Sequence, residues 1–420
     1  MSNPAMLGPD QIPINEIDLG DLQLWAGGPP HAIFDRLRRE APVHWSPMAT
    51  WEDEPGFWSI TRQRDIHAIS RDWETFSSER GGILVADGAV PLELLNSMFI
   101  GMDPPRHDRI KGLFQKGFSP RRIAEHEPAI RAIVRAALDR ITGRDEVDLI
   151  ADLTQPVVAR VIGSFVGTPA EDDVTWAQLA NVGLGFGDKE LQPEGKESFD
   201  RAVTEIIGRA MAMVAERREH PTDDLTSLLT HAEIDGAGLE DIEIVMGFAL
   251  LVAAGNDSTK ATYANGMLAL LNEPEQLHKL LEDQTKIGPA VEEFLRMFPA
   301  FSSFRRTVTR DVEFGGQQLK EGDKVVMWYP SAGRDEEVYA CPHMLDVERV
   351  PEHQSFGSGG RHFCLGAALA RLELRVLFEE TLARFPQMEL IEQPERVRSL
   401  FLNQPRELRV LLGAPAQASS

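Results

Sequence analysis

The chain has 420 residues, of which 42% are hydrophobic and 26% are charged, a composition typical of globular proteins. Its 43 basic and 66 acidic residues give a formal net charge of −23, which argues against nucleic-acid binding because phosphate binding needs a basic surface. Two cysteines, Cys341 and Cys364, are too few for a disulfide framework or a Cys-rich metal module. The longest apolar run, residues 244–255, is shorter than the roughly 20 residues that span a bilayer, so we expect a cytoplasmic protein without a membrane anchor.

The first two thirds of the chain predict mostly helices. A short strand over 57–61 and a helix over 62–70 come early, and nearly all of 104–286 has a helical pattern. The main helices are predicted over 123–140, 149–166, 199–218 and 239–272. Pro156 is expected to kink or restart the second of these. The last would be about 51 Å long, enough to cross the domain, and Pro274 ends it.

The last third of the chain predicts short strands and one more helix. Strands over 305–309, 312–315 and 324–328 are separated by glycine-containing turns. An irregular stretch over 342–361 leads to a helix over 365–384, and two strands follow at 388–391 and 406–412. Because no linker or repeat interrupts the pattern, we expect one mainly α-helical domain with a minor β-sheet region over 1–420, in which 1–20 form a flexible N-terminal segment.

The segment Ser355-Phe-Gly-Ser-Gly-Gly-Arg-His-Phe-Cys364-Leu-Gly366 combines glycines, basic residues, a cysteine and the start of a helix. Glycines let a backbone turn tightly beside a bulky group. The N–H groups at the start of the helix would favour a thiolate at Cys364, and a thiolate in a shielded loop is a suitable axial ligand for haem iron. The alternative is a small buried hydrophobe, which needs none of these neighbours. Cys341 lacks them and is assigned this structural role.

This loop, with the motifs that follow, resembles the cytochrome P-450 family of haem-thiolate monooxygenases, in the family's order and over nearly the whole chain. The resemblance implies the cytochrome P-450 fold, with a long central helix over haem b. It makes Cys364 the metal ligand, with Gly360 and Gly366 holding the loop and the start of the next helix. The spacing from Phe356 to Cys364 is one residue longer than usual, as in some bacterial members that hydroxylate sterols and branched lipids.

Further residues match the family's cofactor contacts. Lys111 stands where the family usually has Arg, so a bidentate contact with a haem propionate would become a single-point one. For His107 and Lys111, one turn apart on a helix, the alternative is a solvated helix face. The cofactor-binding residues implied by the resemblance are His107, Lys111, Ala254, Gly255, Arg306, His353, Phe356, Gly357, His362, Cys364 and Gly366.

Glu293-Phe-Leu-Arg296 places an acid and a base on one helical face, a pair that is common on exposed helices. Its position ahead of the small sheet and the cysteine loop resembles the family's Glu-x-x-Arg motif. Arg349 matches the arginine that completes the family's buried charge triad. The resemblance implies a structural lock behind the haem, in which loss of one member strands a buried charge.

Residues 250–259 of the long predicted helix change from apolar to polar at the centre of the helix. A buried Asp257 and a mid-helix Gly255 are both unfavourable, and such features mark either a functional site or a helix bend packed against a neighbour. In the family this stretch lines the oxygen-binding side of the haem, where an acid–alcohol pair relays protons. The resemblance therefore makes Asp257, Ser258 and Thr259 catalytic, with Ser258 in place of the family's Thr.

The implied reaction inserts one oxygen atom from O2 into a C–H bond of a hydrophobic small molecule such as a terpenoid, steroid or branched lipid. Segments expected to face this substrate are 82–99, 179–186, 300–304 and 400–402. We expect a monomer that receives electrons from a ferredoxin and a ferredoxin reductase. A local basic docking patch is predicted at Arg121, Arg122, Arg361, Arg371 and Arg375.

Three other interpretations fit the sequence less well. A peroxide-driven haem peroxygenase would not need the Asp257-Ser258 pair, and the same pair counts against a haem sensor or carrier without turnover. A zinc site would need the spacings of a known zinc module, and those of Cys341, His343, His362 and Cys364 match none. The sequence therefore favours the monooxygenase.

Overall fold

Helices make up most of the chain in the computed structural model, which describes residues 9–185, 190–234 and 236–415. In these ranges the α-helices are α1 (His31–Glu40), α2 (Gln63–Arg71), α3 (Leu92–Ser97), α4 (Arg106–Gln115), α5 (Pro120–Glu125), α6 (Glu127–Ile141), α7 (Gln155–Val166), α8 (Asp173–Leu184), α9 (Lys196–Glu219), α10 (Leu225–Thr230), α11 (Asp241–Asn272), α12 (Pro274–Glu282), α13 (Ile287–Met297), α14 (Tyr329–Ala332) and α15 (Ala367–Arg384). Short 3-10 helices lie at Pro9–Gln11, Ile14–Glu16, Leu22–Trp25, Phe99–Gly101, Lys116–Phe118, Ala170–Asp172 and Gln284–Lys286.

The strands form small sheets at the edge of the helical body. They are β1 (Val43–Ser46), β2 (Phe57–Ile60), β3 (Phe76–Ser77), β4 (Glu146–Asp148), β5 (Glu233–Ile234), β6 (Ala237–Gly238), β7 (Ser303–Val308), β8 (Val312–Phe314), β9 (Gln317–Leu319), β10 (Lys324–Trp328), β11 (Glu389–Leu390) and β12 (Arg409–Leu411). The largest sheet has the order β1-β2-β10-β7-β3, with β10 parallel to β2 and antiparallel to β7. Smaller sheets have the orders β11-β12-β4, β5-β6 and β8-β9. The predicted mainly helical fold with a minor sheet is confirmed.

Two of the predicted helices are divided close to a proline. The helix predicted over 123–140 consists of α5 and α6, which meet at His126, because Pro128 lies in the first turn of α6 where its missing N–H is not needed. The helix predicted over 149–166 begins as a π-helical stretch, Leu149–Thr154, and continues as α7 from a first turn that contains Pro156. Each proline therefore starts a new helix.

Helix α11 forms the centre of the molecule. Its 32 residues extend for about 48 Å, and a capping box between Glu240 and Glu243 satisfies its first N–H groups. It packs against α7, α8, α9 and α15. Both α11 and the stretch Leu149–Val166 are long and apolar enough to cross a membrane, but 61% and 67% of their most apolar windows are buried inside the protein. They are therefore the core helices of this domain.

The N-terminal segment differs from the flexible one expected over 1–20. Ile12, Ile17 and Leu19 are buried in a cluster with Trp25 and Trp328, and the two indole rings lie 5.1 Å apart. Burial of these apolar side chains fixes the chain from residue 9 onward. Residues 1–8, which belong to the same expectation, lie outside the described residues.

The predicted charge triad is assembled between α13 and the stretch that precedes the cysteine loop. Arg296 donates from Nε and Nη2 to the two carboxylate oxygens of Glu293, both at 2.7 Å, and neither side chain is exposed. Arg349 Nε lies 3.3 Å from the same carboxylate. Arg296 also donates to the carbonyl of Pro342 at 2.8 Å, and Glu293 accepts the N–H of Asp346 at 3.1 Å. The triad therefore fixes the irregular chain that leads into the loop of Cys364.

We expect Glu293→Gln to destabilise the protein by roughly 3–5 kcal/mol, because it leaves Arg296 buried without its counter-charge. Urea unfolding followed by circular dichroism measures this loss. Asp311→Asn is the matched control, since it breaks an exposed contact with Lys320 and should leave the unfolding midpoint unchanged. Equal midpoints for both variants would contradict a stabilising role for the triad.

Candidate active site

The loop of Cys364 closes on itself just before α15. The Cys364 N–H donates to the carbonyl of Phe356 at 2.7 Å, and the Gly357 N–H donates to Gln354 at 2.8 Å. The Cys364 side chain is open to an internal cavity. It nevertheless lies deep in the protein, where burial raises the pKa of its thiol and a hydrogen bond from the Gly366 N–H opposes that rise. The loop thus presents one sulfur atom to a cavity beneath α11.

The structure requires glycine at two positions of the loop. Gly357 has φ +89°, a left-handed conformation that side chains other than glycine rarely adopt. At Gly360 an added Cβ would lie 1.9 Å from the carbonyl oxygen of Ser70. The loop therefore packs against the end of α2 at a distance that only glycine allows.

Nitrogen-bearing side chains from three parts of the chain line one end of this cavity: His107 and Lys111 from α4, Arg306 from β7 and His362 from the loop. The rings of His107 and His362 are 4.3 Å apart. Burial lowers the pKa of both imidazoles, that of His362 far below its usual value, with Arg306 adding to the effect there. Burial also lowers the pKa of the Arg306 guanidinium.

This end of the cavity is electrostatically incomplete. His107 Nε2 is buried and has no hydrogen-bond partner within the described residues, while its Nδ1 lies 2.9 Å from Asp108. The guanidinium of Arg306 is buried and its Nη1 donates to the carbonyl of Arg305 at 2.7 Å. Buried cations are stable only when anions or strong acceptors compensate them. The arrangement is suited to an anionic group that enters with a ligand.

Lys111 and His353 are placed differently from the expectation that both contact a haem propionate. Lys111 lines the cavity, but its Nζ donates to the carbonyls of Arg361 and, at 2.7 Å, Phe363, so it holds the loop. His353 does not line the cavity. Its Nε2 lies 3.1 Å from Glu292 on α13, and its ring lies 5.7 Å from that of Phe356, so its side chain is occupied by protein partners.

The α11 side of the cavity is formed by Ala254, Gly255, Ser258 and Thr259. The Ser258 hydroxyl donates to the carbonyl of Ala254 at 2.8 Å, one turn earlier. Thr259 Oγ1 donates at 2.9 Å to Glu373 on α15, a buried acid that lines the same cavity. Sequence reasoning missed Glu373. The sequence feature that could have identified it is an acid between two leucines, nine residues after Cys364, on the apolar face of the predicted helix.

Asp257 lies on a different side of α11 from the cavity of Cys364. Its carboxylate forms an ion pair with Lys260, and both side chains are at least 95% buried. Lys260 Nζ also donates to Gln155 at 3.0 Å and Asn181 at 2.9 Å. These residues line a separate cleft of about 880 Å³ between α7, α8 and α11. The structure therefore does not bring Asp257 into contact with Ser258 across one cavity.

Apolar side chains from α11 and from other parts of the chain make up much of the remaining lining of the Cys364 cavity. They are Phe99, Ile100, Ile162, Leu250, Leu251, Ala300, Phe301 and Phe304. Of the four segments expected to face a substrate, 300–304 contributes most to this lining and 82–99 contributes Phe99. The described part of 179–186 lies at the other cleft through Asn181, and Phe186 lies outside the described residues.

Other residues of the segments expected to face a substrate line a neighbouring cavity of about 270 Å³. It is lined by Leu84–Ala86, Phe199, Leu400 and Phe401, among others. The Phe401 ring lies 4.8 Å from the ring of Phe301, which lines the Cys364 cavity. One lining residue of each cavity is therefore in aromatic contact with the other.

Comparisons with known proteins agree on one family. The family model described as Cytochrome P450 matches residues 191–412. The chain is 37% identical to the methyl-branched lipid omega-hydroxylase of Mycobacterium tuberculosis, covering 96% of each protein, and 33% identical to the linalool 8-monooxygenase of Pseudomonas putida, covering 94% and 98%. A Mycobacterium marinum cytochrome P450 in complex with pseudoionone has a similar structure, with a TM-score of 0.88, 36% identity and coverage of 95% and 99%.

The chain belongs to the cytochrome P450 family. It is a monooxygenase, and its cofactor is haem b. The residues of this cytochrome P450 fit that group: the Cys364 sulfur opens into the cavity, and the unpartnered Nε2 of His107 and the Arg306 guanidinium would hold its anionic propionates, while His362 Nε2 lies 3.2 Å from the Ser78 hydroxyl. When bound, haem supplies the chemistry that activates O2, and the protein supplies binding, orientation and control of water.

The expected docking arginines of this cytochrome P450 are all paired with carboxylates. One pair lies within α5 and the others join different parts of the described structure, so the patch carries less free positive charge than the sequence indicates. The pairs are Arg121–Glu125, Arg122–Asp223, Arg361–Asp108, Arg371–Glu292 and Arg375–Glu127.

Glu373 gives the cytochrome P450 a testable pH dependence. Burial raises its pKa to about 8 from the usual 4.5, against the opposing effect of the Thr259 hydrogen bond. Between pH 4.5 and pH 8 the carboxyl group of Glu373 has lost its proton in the unfolded chain but keeps it in the folded protein. The free energy of unfolding therefore falls as pH rises, by about 1.4 kcal/mol per pH unit. Glu373→Gln should therefore be more stable than wild type at pH 8, with the difference closing toward pH 4.5.

Urea unfolding between pH 5 and pH 8 measures this difference. Glu389→Gln, on exposed β11, is the control and should differ from wild type by an amount that does not vary with pH. A pH-independent difference for Glu373→Gln would show that Glu373 is ionised in the folded protein.

Proposed function

We propose that this cytochrome P450 hydroxylates a C–H bond of a hydrophobic small molecule such as a terpenoid, a steroid or a branched lipid. The observation that carries the proposal is the apolar wall of the cavity opposite Cys364, formed by aliphatic and aromatic side chains including Leu250, Ile162 and Phe304. Such a wall excludes water and selects substrates by shape and apolar area. The named activities of the relatives, on a branched lipid and on linalool, support this class.

The proposed proton route starts at Asp257 and ends at Ser258. Asp257 lines the cleft between α7, α8 and α11 with its side chain buried, and its ion pair with Lys260 holds it there. If Lys260 left Asp257 and kept only its hydrogen bonds with Gln155 and Asn181, the Asp257 carboxyl group would be free to turn toward Ser258. The Ser258 hydroxyl then moves a proton into the cavity. Thr259, bound to Glu373, is a second hydroxyl at the same wall.

Electrons come, in this proposal, from a ferredoxin and its reductase, and the protein acts as a cytoplasmic monomer with a single domain over 1–420. Arg371 and Arg375 lie side by side on α15, close to the Cys364 loop, and both are partly exposed. An acidic protein surface could replace their present carboxylate partners, Glu292 and Glu127. The alignment of relatives along 96% of the chain supports the single domain.

The role of Cys364 is tested by carbon monoxide binding. We expect the reduced wild-type protein to show the red-shifted Soret band that a thiolate ligand gives, and Cys364→Ala to lack it. Cys341→Ala is the matched control and should keep the band, because Cys341 is exposed and does not line the cavity. Wild-type protein that contains haem but lacks the band would rule out Cys364 as the ligand.

The proton route is tested at Asp257. Asp257→Asn should slow product formation by about 100-fold, the scale of one acid–base step, while haem content and the carbon monoxide band stay normal. Ser258→Thr, which keeps the hydroxyl, should retain turnover and Ser258→Ala should not. Unchanged turnover in Asp257→Asn would remove this carboxyl group from the reaction.

A further inference from the structure

A continuous set of contacts connects the protein surface to the loop of Cys364. None of its members has a role in the proposed substrate binding or proton transfer. It begins at Arg371 on α15, whose side chain is 40% exposed. The guanidinium donates from Nε and Nη2 to the two carboxylate oxygens of Glu292 on α13, at 2.7 and 2.9 Å. The first link is therefore a bidentate ion pair that solvent, or another protein, can reach.

The second link is His353, which has a defined tautomer. Its side chain is 2% exposed, and its Nδ1 accepts the Ser355 N–H at 3.2 Å, so Nδ1 carries no proton in this contact. Nε2, 3.1 Å from Glu292, then donates to that carboxylate. Burial alone would raise the pKa of Glu292, but the hydrogen bonds from His353 and Arg371 lower it to about 2, so the acceptor is an anion. The His353 ring thus links a surface carboxylate to a backbone N–H of the loop.

The third link is Phe356, the residue after Ser355. Its ring lies 5.7 Å from that of His353 and 4.6 Å from the Arg371 guanidinium carbon. Its carbonyl accepts the Cys364 N–H at 2.7 Å. A shift of His353 would therefore move the chain segment whose carbonyl binds the N–H of the cysteine itself.

We propose that Arg371, Glu292 and His353 form a relay that reports an anionic group docked at Arg371 to the loop of Cys364. A carboxylate of an acidic partner protein competes with Glu292 for the Arg371 guanidinium. Glu292 then loses its bidentate partner, its hydrogen bond with His353 changes, and the Ser355–Phe356 segment follows. All three are positioning residues. The intramolecular relay rests on the proposed function only in that Cys364 binds haem, whereas the docking step also rests on an acidic electron donor.

The neighbouring Arg375 provides a matched control. It lies one turn further along α15, is 33% exposed and is also paired with carboxylates, Glu127 and Glu379. Neither of these acids contacts the loop through a hydrogen bond in the described structure. Removing Arg375 therefore changes the surface charge by the same amount as removing Arg371 but leaves the relay intact.

The intramolecular relay is tested by hydrogen exchange of the Ser355 amide and by the midpoint potential of the haem-loaded protein. Arg371→Ala should speed exchange at Ser355 about five-fold, as for a weakened hydrogen bond, and shift the potential, whereas Arg375→Ala should change neither. His353→Asn keeps an acceptor for the Ser355 N–H but loses the donor to Glu292. In a His353→Asn background, Arg371→Ala should have no further effect on the Ser355 amide.

Equal effects of Arg371→Ala with and without His353→Asn would overturn the relay, because Arg371 would then act through its contact with Phe356 alone. No change in Arg371→Ala would overturn it as well. If His353→Asn fails to fold, Glu292→Gln replaces it: this variant leaves Arg371 over Phe356, and the relay requires it to reproduce the faster exchange at Ser355.

The docking step is tested with an oxidised plant-type [2Fe–2S] ferredoxin as the acidic probe. Its addition should change exchange at Ser355 in wild type and in Arg375→Ala, and should leave His353→Asn unchanged. A ferredoxin that binds without affecting Ser355 overturns the docking step alone. A ferredoxin that does not bind overturns both the docking step and the proposed electron donor, while the variant measurements still decide the intramolecular relay.

Discussion

The arrangement of the active site depends on a buried guanidinium and two buried imidazoles that share one end of the cavity. His107, Arg306 and His362 meet at one end of the cavity, and desolvation lowers the pKa of each. Holding such groups together is unfavourable until an anion joins them. The propionates of a bound haem would supply that anion, so the cofactor would complete the packing at this point as well as the reaction. A chain with a net charge of −23 thus keeps a buried guanidinium, that of Arg306, at its cofactor cavity.

The position of the cysteine is fixed from two independent directions. On one side, the Glu293–Arg296 pair anchors the chain that leads into the loop, and on the other, Gly360 allows the loop to touch the backbone of α2 at Ser70. Lys111 adds a third restraint by binding two loop carbonyls. Lys111, which the family resemblance assigns to the cofactor, therefore also holds the loop of Cys364.

The helical fold and the Cys364 loop could be predicted because each has a local signature: periodicity, and clustered glycines with a cysteine. The charge triad needed the family resemblance as well, because an acid and a base one turn apart are common on exposed helices. The surroundings of Asp257, His353 and Glu373 could not be predicted from the sequence. Consecutive residues on a helix point about 100° apart, so Asp257 and Ser258 face different cavities, and only the packing of α7 and α8 shows which. His353 and Glu373 acquire their partners from helices far away in sequence, which a motif does not record.

The aromatic contact between Phe301 and Phe401 has a consequence for how this enzyme could change its substrate range. Phe301 lines the Cys364 cavity and Phe401 its 270 Å³ neighbour, and both belong to short irregular segments rather than to the core helices. The contact between the two cavities therefore involves side chains that can change without a change in the backbone. A single codon change at either position could join the two spaces and admit a longer molecule, so new specificities are accessible to evolution without rebuilding the fold.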